Sequence, residues 1–298
     1  AMIKEGYDEG FSAGLSAISG SLGTIIPPSI TFIIYGMITG ESIGDLFFAG
    51  IVPGMIFGLI LCAYTYYISR KNNWGGKGKL ASGQEIWKTF TNALWGIFSP
   101  VIVLGGIYSG ILTPTESAAV AVIYSYLVGA FVYKELDLKK LWQALFITAK
   151  TTGIILLIIM NAGIFSWVLT EQGIAASLTE LALSLTQDKI AMLLIINIVF
   201  LLAGCVMDNT SALFILVPIV MPIAKALGID MIHLGVILVL NLSIGQVTPP
   251  VGPNLYVAAD IGKMKFERIM SGVTPLLLMS LVALLIITFV PWFSLCLL

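Results

Sequence analysis

The chain has 298 residues and a formal net charge of −1; 58% of it is hydrophobic and only 10% charged. Soluble domains carry roughly a quarter charged residues, so most of this surface faces lipid, and a water-soluble globule is excluded. A closed β-barrel of short alternating strands is excluded too, because the apolar runs are long and uniform; lipid, not nucleic acid, is the partner this composition implies.

In chain order, the first feature is Pro27-Pro28, which splits an apolar stretch into two expected half-helices, Gly14–Thr24 and Ser29–Gly40. Each proline removes a helix donor and frees carbonyls upstream. In hydrocarbon that is tolerated only where the backbone lines a cavity or is buried in protein. Upstream of this feature, Met2 is followed at once by Lys4, Glu5 and Asp8, with no secretory leader visible. Gly50–Ser69 is long enough for a full span, which takes about 20 residues. Arg70, Lys71, Lys77, Lys79 and Lys88 follow it against a single Glu85, which makes this loop cytoplasmic by the positive-inside rule. Its Gly75-Gly76-Lys77-Gly78-Lys79 run fails the spacing of a nucleotide-binding P-loop and reads as solvated loop.

Asn92–Leu112 and Glu116–Tyr133 form an out-and-back pair that returns Lys134, Lys139 and Lys140 to the inside. Thr151–Leu169 is a further span; Asn161 within it reads as a packing residue, and Glu116 as a loop cap. Ile190–Met207 and Ala212–Ala226 are short arms flanking Asp208-Asn209-Thr210-Ser211, the pattern of a re-entrant hairpin with a polar tip. A carboxylate at membrane depth is a site hypothesis by default; the alternative is that Asp208 lies near an interface and caps the following arm. Pro249-Pro250 then divides Ile232–Ile244 from Gly252–Asp260, and Gly272–Leu295 is the last span. Cys62, Cys205 and Cys296 lie inside apolar segments without a C-x-x-C and are expected to be small buried hydrophobes. His233 has no partner at metal-ligand spacing and is expected to be a helix-end polar residue.

Sliding the sequence against itself by 222 positions superimposes Gly6 on Gly228, Asp8 on Asp230, Ser21 on Ser243 and Gly23 on Gly245. Pro27-Pro28 then fall on Pro249-Pro250, Gly40 on Gly262, Gly50 on Gly272 and Pro53 on Pro275. The identities are mainly Gly and Pro, the residues that fix backbone shape. The linker with Glu41 and Asp45 lies outside, while its counterpart with Lys263, Lys265 and Arg268 lies inside, so the unit sits in the membrane both ways up. An inverted repeat with prolines in mid-span points to a secondary transporter. The expected fold is an all-α integral membrane protein with an inverted repeat, a re-entrant hairpin and two discontinuous helices. Residues 1–69 end the first repeat, 70–186 are connecting and scaffold helices, and 187–298 form the second repeat. The same offset places the twin of the hairpin before residue 1, so the N-terminal part of the first repeat is expected to lie outside this sequence.

The runs Gly23-Thr24-Ile25-Ile26-Pro27-Pro28-Ser29 and Gly245-Gln246-Val247-Thr248-Pro249-Pro250-Val251-Gly252 resemble the large membrane subunit of TRAP (tripartite ATP-independent periplasmic) transporters. So do Thr113-Pro114-Thr115-Glu116-Ser117-Ala118-Ala119 and the stretch from Asp208 to Asp230 with Pro218, Pro222 and Gly228-Ile229-Asp230. The resemblance covers essentially the whole chain and corresponds to the C-terminal two-thirds of such a subunit. It implies a sodium-driven importer of an organic acid in the bacterial inner membrane, working by an elevator movement. It also implies a periplasmic substrate-binding protein and a small membrane subunit as partners, and substrates such as sialic acid and C4-dicarboxylates.

Sodium is a hard cation that takes oxygen ligands, and unwound backbone supplies them as carbonyls. The first break offers Ser21, Gly23, Thr24 and Pro27; the second offers Ser243, Gly245, Thr248 and Pro249, facing the tip residues Asn209 and Thr210. One sodium site per repeat is expected. Ser29 and Asn254 start the half-helices after each Pro-Pro, where an anion finds helix N-termini and donors. Asp208 would repel a carboxylate, so it is expected to balance sodium or to bind substrate hydroxyl or amine groups, which favours sialic acid over a plain dicarboxylate. A passive channel is the rival reading. An enzyme is not expected, since one His and scattered carboxylates assemble no catalytic set.

Overall fold

A computed structural model describes residues 2–75 and 82–298, apart from the side chains at 166, 170 and 175. The Gly75–Lys79 run therefore lies, beyond Gly75, outside the described residues. The described chain is helical: α1 Glu9–Gly20, α2 Ile30–Thr39, α3 Ile43–Lys71, α4 Gly83–Tyr108, α5 Pro114–Leu127, α6 Leu138–Glu171 and α7 Ile174–Leu185. There follow α8 Lys189–Val206, α9 Asn209–Ala226, α10 Met231–Gly245, α11 Pro253–Gly262, α12 Phe266–Phe289 and the short α13 Trp292–Leu295. Among the described residues seven helices are long and apolar enough to cross a membrane. The chain is a multi-pass membrane protein.

Helix ends are set by local chemistry that hydropathy does not see. α1 starts at Glu9, earlier than expected, because the Asp8 carboxylate accepts the Phe11 N–H at 2.9 Å. Asp230 does the same for His233 N–H at the start of α10, so the two aspartates that superimpose in the sequence are both N-caps. Thr113 and Glu116 close a capping box at α5, which gives Glu116 its place. α7, where the apolar pattern predicts nothing, is a separate helix begun by the left-handed Gly173 (φ +66°).

The chain divides into two compact units, 1–77 with 162–298, and 78–161. In the smaller unit α4 and α5 pack where Gly106 leaves no room for a side chain; a Cβ there would lie 2.8 Å from Leu112 and 2.9 Å from Ser117 Oγ. Tyr124 and Tyr133 donate to the carbonyls of Trp95 and Asn92 on α4.

In the larger unit the elements recur at the spacing of the sequence identities. α1 and α10 begin at Glu9 and Met231, 222 residues apart, and α2 and α11, like α3 and α12, begin 223 apart. Their packing partners interchange as well: α1 lies against α11 and α12, while α10 lies against α2 and α3. Lipid tails are as apolar as side chains, so close backbone approach has to supply the packing energy. On α1, Gly10 and Gly14 meet α12 at Arg268, Gly272 and Val273; a Cβ on Gly10 would lie 2.3 Å from Arg268 O. Arg268 also pairs with Asp8 (3.6 Å) and Glu9 (3.4 Å) at the exposed end of this contact.

A buried polar chain ties α8, α10, α12 and α13 together. Asn241 Nδ2 donates to Asn197 O and Oδ1 at 2.9 and 2.8 Å, and Asn197 Nδ2 donates to Thr288 Oγ1 at 3.0 Å. His233 is 1% exposed, with its ring nitrogens on Ser294 Oγ and Thr288 O; it is a helix-end residue, as expected, but one locked in the core. Of the three free cysteines only Cys205 is buried, and Cys62 is exposed on α3 rather than packed inside.

Replacing Asn241 by leucine strands Asn197 Oδ1 without its donor, which costs about 1–3 kcal/mol. The Asn241→Leu protein should melt several degrees lower in detergent, whereas Asn161→Leu, which loses only a bond to its own helix at Leu157 O, should melt like the parent. Equal melting of both variants would remove the polar chain from the account of stability.

Candidate functional site

The two Pro-Pro sequences fall where helices stop. After α1 a 3-10 turn, Ser21–Thr24, leads into irregular backbone, and α2 starts only after Ser29 in an extended conformation. α10 ends at Gly245 with Gln246 as its C-cap, and the next helix starts at Pro253, following the left-handed Gly252 (φ +55°). Both Pro-Pro peptide bonds are cis.

Hydroxyls at each break turn back on the carbonyls that the break exposes. Thr24 Oγ1 donates to Ser21 O at 2.7 Å, and Ser29 Oγ donates to Thr24 O. At the second break Thr248 Oγ1 donates to Ile244 O at 2.7 Å. Main-chain bonds complete the second break: Gly252 N–H to Cys205 O, and Asn254 N–H to Gln246 O, each 3.1 Å.

The two breaks meet through one side-chain contact, Thr24 Oγ1 with Ser243 Oγ. Ser243 Oγ also lies 2.6 Å from Val239 O. Each hydroxyl has one proton, so two protons serve three contacts. When each donates to its own carbonyl, the two oxygens face each other with lone pairs alone, an arrangement that a hard cation completes. Ser21 stands beside them, 1% exposed, with its Oγ lacking a hydrogen-bond partner among the described residues. Ser243 is wholly buried, Pro27 is buried, and Gly23 is exposed.

On the other side of the second break the tip between α8 and α9 is tied in by Asn209, whose Oδ1 accepts from Gln246 Nε2 at 2.9 Å. Asn209 is buried and Thr210 half-buried. The tip can approach because Gly204 on α8 lies directly against Gly245; a Cβ on Gly245 would fall 2.7 Å from Gly204 Cα. Thr248 and Pro249 are half-buried next to this contact.

The expected substrate residues are not brought together. Asp208 is exposed and caps α9, accepting from Ser211 N–H at 3.1 Å and Ser211 Oγ at 2.6 Å. Ser29 is buried as the N-cap of α2, and its one proton is committed to Thr24 O. Asn254 lines a different space, a cleft of about 620 Å³ between α1 and α11 with Ser12, Ser16 and Gly20 on its walls. Sequence reasoning passed over Gln246; the signal was present, because the 222-residue offset that pairs Ser21 with Ser243 also pairs Thr24 with Gln246.

Residues 1–293 match the protein family described as "Tripartite ATP-independent periplasmic transporter, DctM component". The chain is 42% identical to the isethionate TRAP transporter permease protein DctMQ of Oleidesulfovibrio alaskensis, over 98% of this chain and 46% of that protein. It is also 42% identical to the C4-dicarboxylate TRAP transporter large permease protein DctM of Pseudomonas aeruginosa, over 99% of this chain and 69% of that one. The sialic acid TRAP transporter large permease protein SiaM of Vibrio cholerae is 36% identical, over 97% and 67%. The chain thus spans under half the length of the first of these relatives and about two-thirds of the others.

The contact between the breaks is directly testable. In a background with Cys62, Cys205 and Cys296 replaced, Thr24→Cys with Ser243→Cys should cross-link within one chain on mild oxidation and lose maleimide labelling. Two freely labelled thiols after oxidation would mean that the breaks do not meet.

Proposed function

This chain belongs to the DctM component family of tripartite ATP-independent periplasmic transporters, and from that premise we propose that it imports an organic acid across the bacterial inner membrane, coupled to sodium. The observation that carries the sodium reading is the pair of hydroxyl oxygens, Thr24 Oγ1 and Ser243 Oγ, whose protons are claimed by Ser21 O and Val239 O. A sodium ion takes such oxygens without a fixed carboxylate. The sites comprise Ser21, Gly23, Thr24 and Pro27 at the first break, and Ser243, Gly245, Thr248 and Pro249 with Asn209 and Thr210 at the second. A hydroxyl that donates to a carbonyl keeps its lone pairs for a cation, so the bonds that satisfy the breaks do not compete with this role.

The two interrupted helices are the discontinuous helices of an inverted repeat, with 1–69 and 187–298 as its two copies and 70–186 as connecting and scaffold helices. α8 and α9 form a re-entrant hairpin, and the repeat core carries the substrate by an elevator movement. Recurrence of the element boundaries and the interchange of packing partners support this reading. A periplasmic substrate-binding protein delivers the acid, and a small membrane subunit completes the transporter. The relatives are named for isethionate, C4-dicarboxylates and sialic acid, all anions. Ser29, Asp208 and Asn254, which stand apart in this structure, are the proposed substrate residues, and Asp208 suits a substrate with hydroxyl or amine groups, sialic acid first and a C4-dicarboxylate next. Membership of a family of transporters disfavours the passive channel.

Uptake by the complete assembly in proteoliposomes decides the matter: an inward sodium gradient should drive accumulation of the acid, and uptake indifferent to sodium would sink the reading. Thr248→Ala and Asp208→Ala should lose transport by tenfold or more while the protein still inserts. Asp208→Ser, which keeps a cap on α9 but no charge, should fail equally; restored transport there would reduce Asp208 to a helix cap.

A further inference from the structure

The recurrence at 222 residues makes the contact between the breaks one member of a pair. Thr24 Oγ1 touches Ser243 Oγ. Exchanging each residue for its counterpart turns Thr24 into Gln246 and Ser243 into Ser21. The mate of the observed contact is therefore Gln246 with Ser21. It is not made here. Gln246 Nε2 donates instead to Asn209 Oδ1 at the tip before α9, 2.9 Å away, and Ser21 Oγ is left buried with no hydrogen-bond partner among the described residues. Ser21 belongs to the turn that packs against α10, the helix that ends one residue before Gln246.

We propose that Gln246 is a positioning residue with two alternative partners, Asn209 and Ser21, and that its exchange between them couples the two sodium sites. The proposal rests on the sodium reading given above. While Gln246 donates to Asn209, the positive edge of its amide lies against the oxygen that a sodium ion at the tip needs, and amide and cation repel each other there. Sodium at Asn209 and Thr210 expels the carboxamide. The repeat assigns it the Ser21 hydroxyl, which lacks a partner among the described residues and donates to Gln246 Oε1. A buried hydroxyl without a partner costs about the desolvation of its polar group, so Ser21 holds an incentive for the exchange. A hydroxyl whose proton is taken by an amide oxygen turns its lone pairs the other way, toward Thr24 and the first site. Occupation of the second site in this way orients a ligand of the first. The coupling is reciprocal, as any linkage between binding sites must be.

The backbone of Gln246 suits it to this work. Its carbonyl accepts from Asn254 N–H at 3.1 Å and its N–H returns to Leu242 O, so the main chain is anchored on both sides and only the side chain is free to exchange. A side chain of the same length without an amide can make neither bond, which sets the substitution for the test.

Two substitutions in the complete transporter test the exchange. In proteoliposomes, uptake by the parent should rise sigmoidally with sodium concentration, and Gln246→Met should make the curve hyperbolic, with its half-saturation point shifted roughly two- to tenfold, the range of one lost hydrogen bond. Ser21→Ala, which leaves Gln246 and Asn209 in place and removes only the second partner, should likewise turn the curve hyperbolic. A parent curve without sigmoidality, or a sigmoidal curve for Gln246→Met or Ser21→Ala, would each overturn the exchange. Uptake by the parent that ignores sodium altogether would overturn the sodium reading and the exchange together, so sodium-driven uptake with any of the preceding results isolates failure of the exchange.

Discussion

Everything in the larger unit follows from one constraint: a Pro-Pro pair in a membrane helix strips the backbone of partners where no water can replace them. The chain answers with its own side chains. Thr24, Ser29 and Thr248 each spend their hydroxyl proton on a carbonyl near the break, and the second break borrows Cys205 O from α8. The Thr24 and Ser243 hydroxyls meet between the breaks, where two protons serve three contacts. The atoms that repair the breaks are also the ones proposed to hold the cation.

The Ser21–Thr24 turn of the first break packs on α10, inside a frame of closely approaching helices. Between α8 and α10 the approach is set by Gly204 and Gly245, and between α1 and α12 by Gly10, Gly14 and Gly272. In lipid there is no hydrophobic reward for helix association, so absence of side chains at the crossing, together with interhelical hydrogen bonds, supplies the attraction. The Asn241–Asn197–Thr288 chain adds direction to that attraction. It holds the frame against which the breaks are placed.

Membrane burial, the helical class and the two Pro-Pro positions at which helices end were legible in the sequence, because each depends on local covalent or compositional facts. A proline lacks its N–H wherever it stands, and a run of about 20 apolar residues spans a bilayer by length alone. Helix starts were less legible: Asp8, Asp230 and the capping box at Thr113 extend helices beyond the apolar runs through side-chain bonds that hydropathy ignores. α7 escaped notice because its boundary is a backbone conformation at Gly173.

Sequence by itself thus determined which backbone groups would be freed and which hydroxyls stood near them. Tertiary structure alone decided which of those groups share a space. It brought Thr24 to Ser243 across 219 positions, gave Asn209 to Gln246, left the Ser21 hydroxyl unmatched among the described residues, and sent Asp208 and Asn254 to different surroundings. The reason is physical. Donors and acceptors are properties of residues, but a hydrogen bond exists only at about 3 Å, and that distance is set by how closely glycine-lined helices pack.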